Sequence, residues 1–373
     1  MKLALVRQRY TPFGGAERFL ERALAALGRD DLEVTVIASD WPGAAETAYR
    51  RILVRPFSLG RTWRDAAFAR AACHVVASGG FDLVQSHERL PCCDIFRAGD
   101  GVHREWLIQR ARRRSGAATL LDQASPFHRR ILAAERTLFA SPRLKAVICN
   151  SHMVRDEIVR HYGVAEARLT VIRNAVDGGV FHPGLRDRYR ADVRQQLNLS
   201  DDHPLFLFVG SGFERKGVDL LLDLWPEVDA TLLVVGRDRD LTGYRRRARG
   251  LRGRVRFIGP QEDVCPWYGA ADAFVLPTLY DPLPNAALEA LACGLPVLTS
   301  RKCGAAELIR PGVNGDVADA LDRAAWLALL KTWRDLARCR AAASHATQAV
   351  HHLTPESMQI ELRDLYARLL SPS

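Results

Sequence analysis

Short apolar runs alternate with helical stretches from the beginning of the chain to its end. The runs are β-branched or otherwise apolar, and turn-forming residues bound many of them. This rhythm is typical of parallel sheets joined by crossover helices. The predicted strands span residues 2–6, 33–38, 52–54, 82–85, 95–98, 146–149 and 169–172 in the first half, and 205–209, 231–235, 255–258, 273–276 and 296–298 in the second.

A chain of 373 residues is longer than one hydrophobic core normally supports. The pattern therefore predicts two α/β domains in series. Turn-forming residues at 173–183 mark the boundary, and a Leu-Thr-Pro break at 353–355 sets off a last helix at about 356–370. We predict a first domain over residues 1–178, a second over 179–355, and a terminal segment, 356–373, whose helix returns to the first domain.

Other classes of protein lack support in the sequence. No early apolar run is followed by a small-residue cleavage pattern, and no stretch approaches the roughly 18 apolar residues that span a bilayer. We therefore expect a cytoplasmic protein. The eight cysteines form neither a C-x-x-C pair nor a regular framework, so we predict no metal site and no disulfide bond.

The net charge of +10 comes almost entirely from arginine and is concentrated in two segments. Residues 103–136 contain eight arginines against three acidic residues, and residues 237–256 contain nine against two. A basic surface attracts phosphates of nucleic acid, anionic lipid or a phosphorylated saccharide. Solvated helix faces in an arginine-rich protein are the alternative, and composition alone leaves both interpretations open.

The strongest local signal follows the strand predicted at 205–209. Residues 210–217 read G-S-G-F-E-R-K-G and precede a helix predicted at 218–224. Glycines after a strand let backbone amides approach an anion, and the helix start adds its positive end. Arg215 can form paired hydrogen bonds with a diphosphate, and Lys216 supplies a second positive charge. A turn that needs glycine only for its geometry is the alternative, but the adjacent basic pair favours a diphosphate-binding loop.

A second signal contains two carboxylates, Asp281 and Glu289, eight positions apart. Asp281 is expected on a loop, and Glu289 within the helix that follows it. Because Glu289 lies among alanines and leucines, an unpaired carboxylate there would be costly to bury. It therefore needs hydroxyl or amide donors, and a ribose or a hexose offers hydroxyls. A surface glutamate on an alanine-rich helix is the alternative.

These motifs together resemble those of the retaining family 4 glycosyltransferases, which have the GT-B architecture. Residues 281–289 resemble the E-x7-E motif of that family, with aspartate in the first position. The loop at 210–217, the Gly-Leu-Pro-Val turn at 294–297, and the segments 12–18 and 173–177 match as well. The resemblance runs from near residue 1 to about residue 310. It implies two Rossmann-like domains that face each other across a cleft.

The resemblance implies that the second domain binds the nucleotide sugar. Arg215 and Lys216 would hold the donor diphosphate and stabilise the leaving group. Asp281 would lie near hydroxyls of the transferred sugar, although it reaches one methylene less far than glutamate, and Glu289 would bind the ribose. The other donor-binding residues that the resemblance implies are Gly14, Gly15, Ser211, Gly212, Gly236, Gly259, Pro260, Gln261, Leu283, Pro284, Asn285 and Ala286.

The first domain would bind the acceptor. His87 and Asp100 each follow a predicted strand, at the edge of the sheet where clefts open. Segments 12–15, 98–100 and 215–219 are similar to those of the lipopolysaccharide-core alpha-glucosyltransferases, which favours Asp100, while His103 stays the alternative. Either side chain would orient or deprotonate the acceptor hydroxyl. The resemblance implies same-face attack assisted by the donor phosphate, and we assign no residue as a protein nucleophile.

We therefore expect a retaining, metal-independent hexosyltransferase that needs no cofactor and uses a UDP-sugar, UDP-glucose or a related UDP-hexose. The acceptor would be the lipopolysaccharide core or a similar phosphorylated or lipid-linked saccharide. The arginines and apolar residues at 104–136 suit a helix lying on anionic inner-membrane lipid, and an ordinary packed helix is the alternative.

Three other functions compete with this expectation. The first is the same chemistry on another glycan or glycolipid, and the second is a catalytically inactive relative, which the aspartate at 281 makes conceivable. The third is a basic nucleic-acid-binding protein. It would need stacking aromatics among the arginines or a recognised module, and neither is present, so we expect no nucleic-acid partner.

Overall fold

The computed structural model describes residues 1–9, 32–41, 49–57, 60–114, 116–251 and 253–371. The chain divides into two compact units. The first comprises Met1–Ala175 together with Pro355–Ser373, and the second comprises Val176–Thr354. Each unit has its own parallel sheet and its own hydrophobic core.

The described part of the first unit contains a seven-stranded, parallel sheet in the order β3-β2-β1-β4-β5-β6-β7. The inner strands are buried on both faces, as expected when helices cover both sides of a parallel sheet. The strands are β1 (Lys2–Val6), β2 (Glu33–Ala38), β3 (Arg50–Leu53), β4 (Leu83–Ser86), β5 (Ile95–Arg97), β6 (Ala146–Cys149) and β7 (Leu169–Val171).

In the described ranges of this unit, helices α1 to α5 lie between β3 and β7. They are α1 (Gly60–Ser78), α2 (His103–Ala111), α3 (Gly116–Ala124), α4 (Pro126–Phe139) and α5 (His152–Tyr162). The basic segment identified in the sequence forms α2, α3 and α4, which follow one another between β5 and β6. In the ranges that the structure describes, no helix is long and apolar enough to cross a membrane.

The second unit contains a six-stranded parallel sheet in the order β10-β9-β8-β11-β12-β13. Its strands are β8 (Leu205–Val209), β9 (Thr231–Val235), β10 (Val255–Gly259), β11 (Ala273–Leu276), β12 (Val297–Ser300) and β13 (Gly315–Ala318). Its helices are α6 (Leu185–Gln196), α7 (Phe213–Lys216), α8 (Val218–Leu224), α9 (Leu241–Ala248), α10 (Cys265–Ala270), α11 (Asn285–Ala292), α12 (Arg323–Trp333) and α13 (Leu336–Val350). The chain builds outward from β8 in one direction and from β11 in the other, so the order reverses between these two strands.

The terminal helix α14 (Pro355–Leu370) belongs to the first unit, as predicted from the sequence. Met358, Leu362, Leu365 and Tyr366 recur at helical spacing and are buried against residues of β1, β2 and β6. The Tyr366 hydroxyl donates a hydrogen bond to Oε1 of Gln85 at 2.8 Å. The two parallel sheets, with helices between their strands, confirm the two predicted Rossmann-like α/β folds.

The structure corrects two expectations. Cys73 on α1 forms a disulfide bond with Cys92, whereas we predicted no disulfide. The two residues are 19 positions apart in the sequence, and the tertiary fold brings them together. The spacing of the cysteines therefore did not predict this bond. Strand β13 was also missed, because its sequence, Gly-Asp-Val-Ala, is short and half polar.

A carboxylate buried at the amino-terminal edge of the second sheet links α6 to the strands. Asp272 accepts hydrogen bonds from Arg186, Arg190 and Arg194 on α6 at 2.8–3.3 Å. It also accepts from the backbone amide of Leu205, the first residue of β8, at 3.0 Å. Arg194 is almost fully buried, so its charge depends on this carboxylate and on nearby carbonyl oxygens.

Asp272→Asn should lower the free energy of unfolding of the second unit by about 3–5 kcal/mol, because it leaves the buried guanidinium group of Arg194 without its buried counter-charge. Urea titration followed by circular dichroism measures the loss. Asp201→Asn is the matched control: Asp201 pairs with Arg190 and Arg194, but its side chain is 82% exposed, so a cost below about 1 kcal/mol is expected. Equal losses in the two variants would contradict this account.

Candidate functional site

The reversal of strand order between β8 and β11 defines the candidate site in the second unit. In open parallel sheets, ligands bind outside the carboxyl ends of the strands at such a reversal. The loop 210–217 follows β8, and Asp281 lies on the loop that follows β11. The two motifs found in the sequence are therefore neighbours in space, although more than 60 residues separate them in the chain.

Gly217 holds these two loops together. Its φ angle is +83°, and a Cβ atom at this position would lie 2.1 Å from the carbonyl oxygen of Pro277. The carbonyl oxygen of Arg215 accepts hydrogen bonds from the Leu279 amide at 2.9 Å and the Thr278 hydroxyl at 3.1 Å. A side chain at 217 would force the loops apart, so glycine is required by both conformation and contact.

The centre of the site is an ionic cluster of Arg215, Lys216 and Asp281. The Nζ atom of Lys216 donates to Oδ2 of Asp281 at 2.5 Å, and Nη1 of Arg215 donates to the same oxygen at 3.3 Å. Nη1 of Arg215 also donates to the carbonyl oxygen of Tyr280 at 2.8 Å. The side chains of Lys216 and Asp281 are buried, whereas that of Arg215 is 37% exposed.

The charges of this cluster determine the ionisation of Asp281. Burial alone would raise the pKa of its carboxyl, but the Lys216 ammonium and then the Arg215 guanidinium lower it, and the net result is a pKa below the usual value. Asp281 is therefore ionised at neutral pH. The cluster carries one net positive charge, which suits an anionic ligand.

Glu289 lies within α11, and Asp281 precedes that helix, as the sequence predicted. Glu289 is buried, and its Oε2 atom accepts a hydrogen bond from the Tyr268 hydroxyl at 2.9 Å. Tyr268 on α10 is buried as well and had no signal in the sequence, apart from the general need of a buried tyrosine hydroxyl for a partner. The buried position excludes the alternative of a surface glutamate on an alanine-rich helix.

The remaining predicted donor residues line the same edge of the sheet. Ser211 and Gly212 lie on the loop after β8, Gly236 follows β9, Gly259 ends β10, and Pro260 and Gln261 come next. A Cβ atom at Gly236 would lie 1.9 Å from the carbonyl oxygen of Gly210, so the loops after β8 and β9 touch. Leu283, Pro284, Asn285 and Ala286 lead into α11 or begin it, and the first two are buried.

Three predicted acceptor-side residues lie at the carboxyl ends of β4 and β5 in the first unit. His87 is buried, Asp100 is exposed, and His103 is half-buried at the start of α2. Gly14 and Gly15 lie outside the described residues. Of these three predicted residues, only Asp100 has an exposed side chain, whereas the imidazoles of His87 and His103 are wholly or partly buried.

His87 is held in its neutral form. Burial, followed by the charges of Arg97 and Arg7, places its pKa well below the usual value. Its Nε2 atom lies 3.4 Å from Nε2 of Gln85, whose Oε1 accepts from Tyr366. Since the Gln85 amide nitrogen is a donor, Nε2 of His87 is the acceptor and its Nδ1 atom carries the proton.

His103 belongs to a network that joins α2 to α4. Its Nε2 atom lies 3.0 Å from Nδ1 of His128, and burial, followed by the charge of Arg89, lowers the pKa of His103 to about 4. The buried Glu135 accepts hydrogen bonds from the His103 amide at 2.7 Å and the Tyr162 hydroxyl at 2.5 Å. Glu135 was not singled out in the sequence, because its donors come from distant segments. In the described ranges, no group of three His, Cys, Asp or Glu side chains could hold a metal ion.

Both halves of the chain match models of glycosyltransferase families. Residues 13–178 match Glycosyltransferase Family 4, and residues 203–333 match Glycosyl transferases group 1. The lipopolysaccharide glucosyltransferase WaaG of Escherichia coli (strain K12) is 25% identical over 324 residues, with 85% of each chain covered. The D-inositol 3-phosphate glycosyltransferase of Actinosynnema mirum is 28% identical over 361 residues, with 84% of each chain covered.

Solved structures agree in fold. The crystal structure of WaaG, a glycosyltransferase involved in lipopolysaccharide biosynthesis, matches with a TM-score of 0.83 at 24% identity over 100% of both chains. The structure of Anabaena Alr3699/HepE in complex with UDP matches with a TM-score of 0.74 at 18% identity over 99% of this chain and 100% of that one. The predicted resemblance to GT-B glycosyltransferases is confirmed.

The buried, neutral His87 predicts a pH dependence of stability. Its pKa is lower in the folded chain than in the unfolded chain, so stability present above about pH 6.5 is lost as the pH falls. Between pH 7 and pH 5, the wild type should lose about 2 kcal/mol relative to His87→Gln, measured by urea titration of the first unit. His351→Gln, at an exposed histidine, should retain the wild-type dependence. Parallel curves for wild type and His87→Gln would show that His87 is not held neutral.

Proposed function

The chain is a glycosyltransferase of the GT-B architecture that resembles family 4, and we propose that it transfers a hexose from a UDP-hexose, with retention of configuration. The acceptor in this proposal is the lipopolysaccharide core or a similar membrane-linked saccharide. The observation that carries the donor half is the pair of cations, Arg215 and Lys216, fixed at the carboxyl end of β8 where the strand order reverses.

In the donor site, Arg215 and Lys216 bind the diphosphate and stabilise the charge that grows on it. The bond between C1 of the hexose and the β-phosphate oxygen breaks, and the acceptor oxygen bonds to C1 on the same face. The acceptor proton passes to the leaving phosphate. Because the acceptor oxygen attacks C1 directly on the face from which the phosphate departs, the proposal assigns no protein nucleophile. Preorganised cations are effective here because they need no rearrangement as the charge develops. The proposal includes no metal and no cofactor.

The nucleoside lies next to Glu289 in this proposal. A carboxylate already held at one oxygen by Tyr268 presents a fixed acceptor geometry to the two hydroxyls of a ribose. Uridine is the base we propose, supported by the GT-B relative Alr3699/HepE that was solved with UDP. Asp281 lies beside the diphosphate, at the end to which the sugar is attached in this proposal.

On the acceptor side, we propose that Asp100 orients the attacking hydroxyl. It is an exposed carboxylate, whereas the imidazole of His103 is engaged with His128 and has a pKa of about 4. His87 is buried and held neutral, so we assign it no proton transfer to or from the acceptor. The lipopolysaccharide acceptor is supported by the name of the Escherichia coli relative.

A phosphorylated small molecule is the second acceptor class. The relative from Actinosynnema mirum is a D-inositol 3-phosphate glycosyltransferase, and its match covers nearly the same share of the chain as the match to WaaG. The donor chemistry is the same in both proposals. Transfer assays with truncated lipopolysaccharide and with inositol 3-phosphate as acceptors distinguish them.

We also propose that α2 and α3 contact anionic lipid at the cytoplasmic face of the inner membrane. Leu120 and Leu121 on α3 are 66% and 74% exposed, and Ile108 on α2 is 44% exposed. Arg112 and Arg113, which follow α2, are exposed as well. Exposed leucines next to arginines suit a surface that inserts apolar side chains below anionic headgroups. The alternative, an ordinary amphipathic helix packed on the sheet, would expose its polar face and does not account for these two exposed leucines.

The donor proposal predicts which variants lose nucleotide binding. Lys216→Ala and Glu289→Ala should each weaken UDP binding at least tenfold in isothermal titration calorimetry. The first removes a positive charge that contacts the diphosphate, and the second removes the carboxylate that accepts hydrogen bonds from the ribose hydroxyls. Lys331→Ala, which removes an exposed lysine of α12, is the control and should bind as the wild type does. Because the proposal includes no metal, the wild type should still transfer labelled glucose from UDP-glucose in the presence of EDTA.

Two outcomes would overturn the donor proposal. One is a wild-type protein that binds GDP or ADP but not UDP. The other is unchanged UDP affinity in both site variants. A protein that binds UDP but transfers no sugar to any acceptor would instead support the catalytically inactive alternative.

The membrane proposal is tested by sedimentation with vesicles. The double variant Leu120→Ser/Leu121→Ser should lose at least tenfold in affinity for vesicles that contain phosphatidylglycerol, because two apolar side chains no longer leave water. Ile360→Ser is the matched control, since Ile360 on α14 is 60% exposed but lies away from the arginine cluster in the sequence. Equal losses in the two proteins, or no sedimentation of the wild type, would contradict the proposal.

A further inference from the structure

Asp281 contacts both cations of the candidate site through a single oxygen. Its Oδ2 atom accepts from Nζ of Lys216 at 2.5 Å and from Nη1 of Arg215 at 3.3 Å. An ammonium carries three N–H donors and a guanidinium five, so one carboxylate oxygen cannot occupy them all. The contact therefore neutralises part of the charge and leaves the cations able to bind a diphosphate at the same time.

The backbone fixes Asp281 in this place. Its amide donates to the carbonyl oxygen of Lys302 at 2.9 Å, and its carbonyl oxygen accepts from the Gly304 amide at 2.9 Å. The residue is buried, and its side chain has only two rotatable bonds. Both cations hold its carboxylate at this position. Its carboxylate stays beside the diphosphate position when a ligand binds.

We propose that Asp281 is a fixed negative counter-charge that makes the site bind the product UDP less tightly, relative to the UDP-sugar donor, than the cations alone would. This inference rests on the proposed function and assigns a role to one of its residues. Asp281 acts through Arg215 and Lys216, so it is a positioning and charge-balancing residue for the transfer.

The reason lies in the charges of the two ligands. The diphosphate of a UDP-sugar is esterified at both ends and carries two negative charges. The terminal phosphate of UDP is a monoester whose second ionisation lies near pH 6, so UDP carries three charges at pH 8. Repulsion by a fixed carboxylate scales with the ligand charge and is therefore larger for the product. Release of the product after each transfer becomes easier as a result.

Asp281 keeps its charge over the pH range that changes the charge of UDP. Burial would raise the pKa of the carboxyl, but Lys216 and Arg215 lower it below the usual value, so Asp281 stays ionised at pH 5. UDP, by contrast, gains a proton between pH 8 and pH 5 and then carries the same charge as the donor. The pH dependence of the two affinities therefore separates a charge effect from a change of shape.

The test is isothermal titration calorimetry of the full chain with UDP and with UDP-glucose, at pH 8 and pH 5. Asp281→Asn removes the charge and keeps an oxygen that can accept from Lys216. At pH 8 it should tighten UDP-glucose binding roughly tenfold and UDP binding roughly thirtyfold, since the gain grows with two and three ligand charges. At pH 5 the gains should be equal. Asp281→Glu keeps the charge and should retain the wild-type ratio of the two affinities.

The outcomes separate the inference from the proposed function. A threefold change in the affinity ratio at pH 8 that disappears at pH 5 supports the inference. An unchanged ratio at pH 8, or a change of the same size at pH 5, overturns it while UDP binding by the wild type leaves the donor proposal intact. A wild type that binds neither UDP nor UDP-glucose overturns both. If Asp281→Asn does not fold, Asp281→Ser provides the same removal of charge.

Discussion

The second unit depends on one ionic contact, in which a buried carboxylate holds two cations at the point where the strand order reverses. The Lys216 ammonium is largely shielded from water, and an unpaired charge in such a position would cost free energy. Asp281 provides the opposite charge. The contact also joins the loop after β8 to the loop after β11, which touch again at Gly217 and Pro277. The cations are therefore in place before any ligand arrives.

The polar edge of the first unit follows a different principle. His87 and His103 are kept neutral by burial and by neighbouring arginines, so they add hydrogen-bonding groups without adding charge. The buried Glu135 collects donors from the loop after β4, from the start of α2 and from α5. Asp100 is the exposed carboxylate at this edge and suits a saccharide hydroxyl, whereas the paired cations of the second unit suit a diphosphate. This difference supports our proposal that the second unit binds the nucleotide sugar and the first unit binds the acceptor.

Much of this organisation was readable in the sequence, because parallel strands and glycine-rich loops leave local patterns. The two parallel sheets, the helix at 218–224 and the positions of Asp281 and Glu289 relative to α11 were predicted correctly. Pairings between distant segments were not. The Asp281–Lys216 contact, the Tyr268–Glu289 hydrogen bond and the Cys73–Cys92 disulfide each join residues that only the tertiary fold brings together. Strand β13 is short and half polar, so its pairing with β12 defines it more than its own sequence does.

The most direct test of the central claim is a crystal structure of the protein with UDP bound. The account predicts phosphate oxygens within hydrogen-bond distance of Nζ of Lys216 and of the Arg215 guanidinium, with the ribose hydroxyls on Glu289. Asp281 should still contact Lys216 in that complex. UDP bound elsewhere on the chain, or bound after β8 with its phosphates directed away from both cations, would contradict the assignment of the donor site.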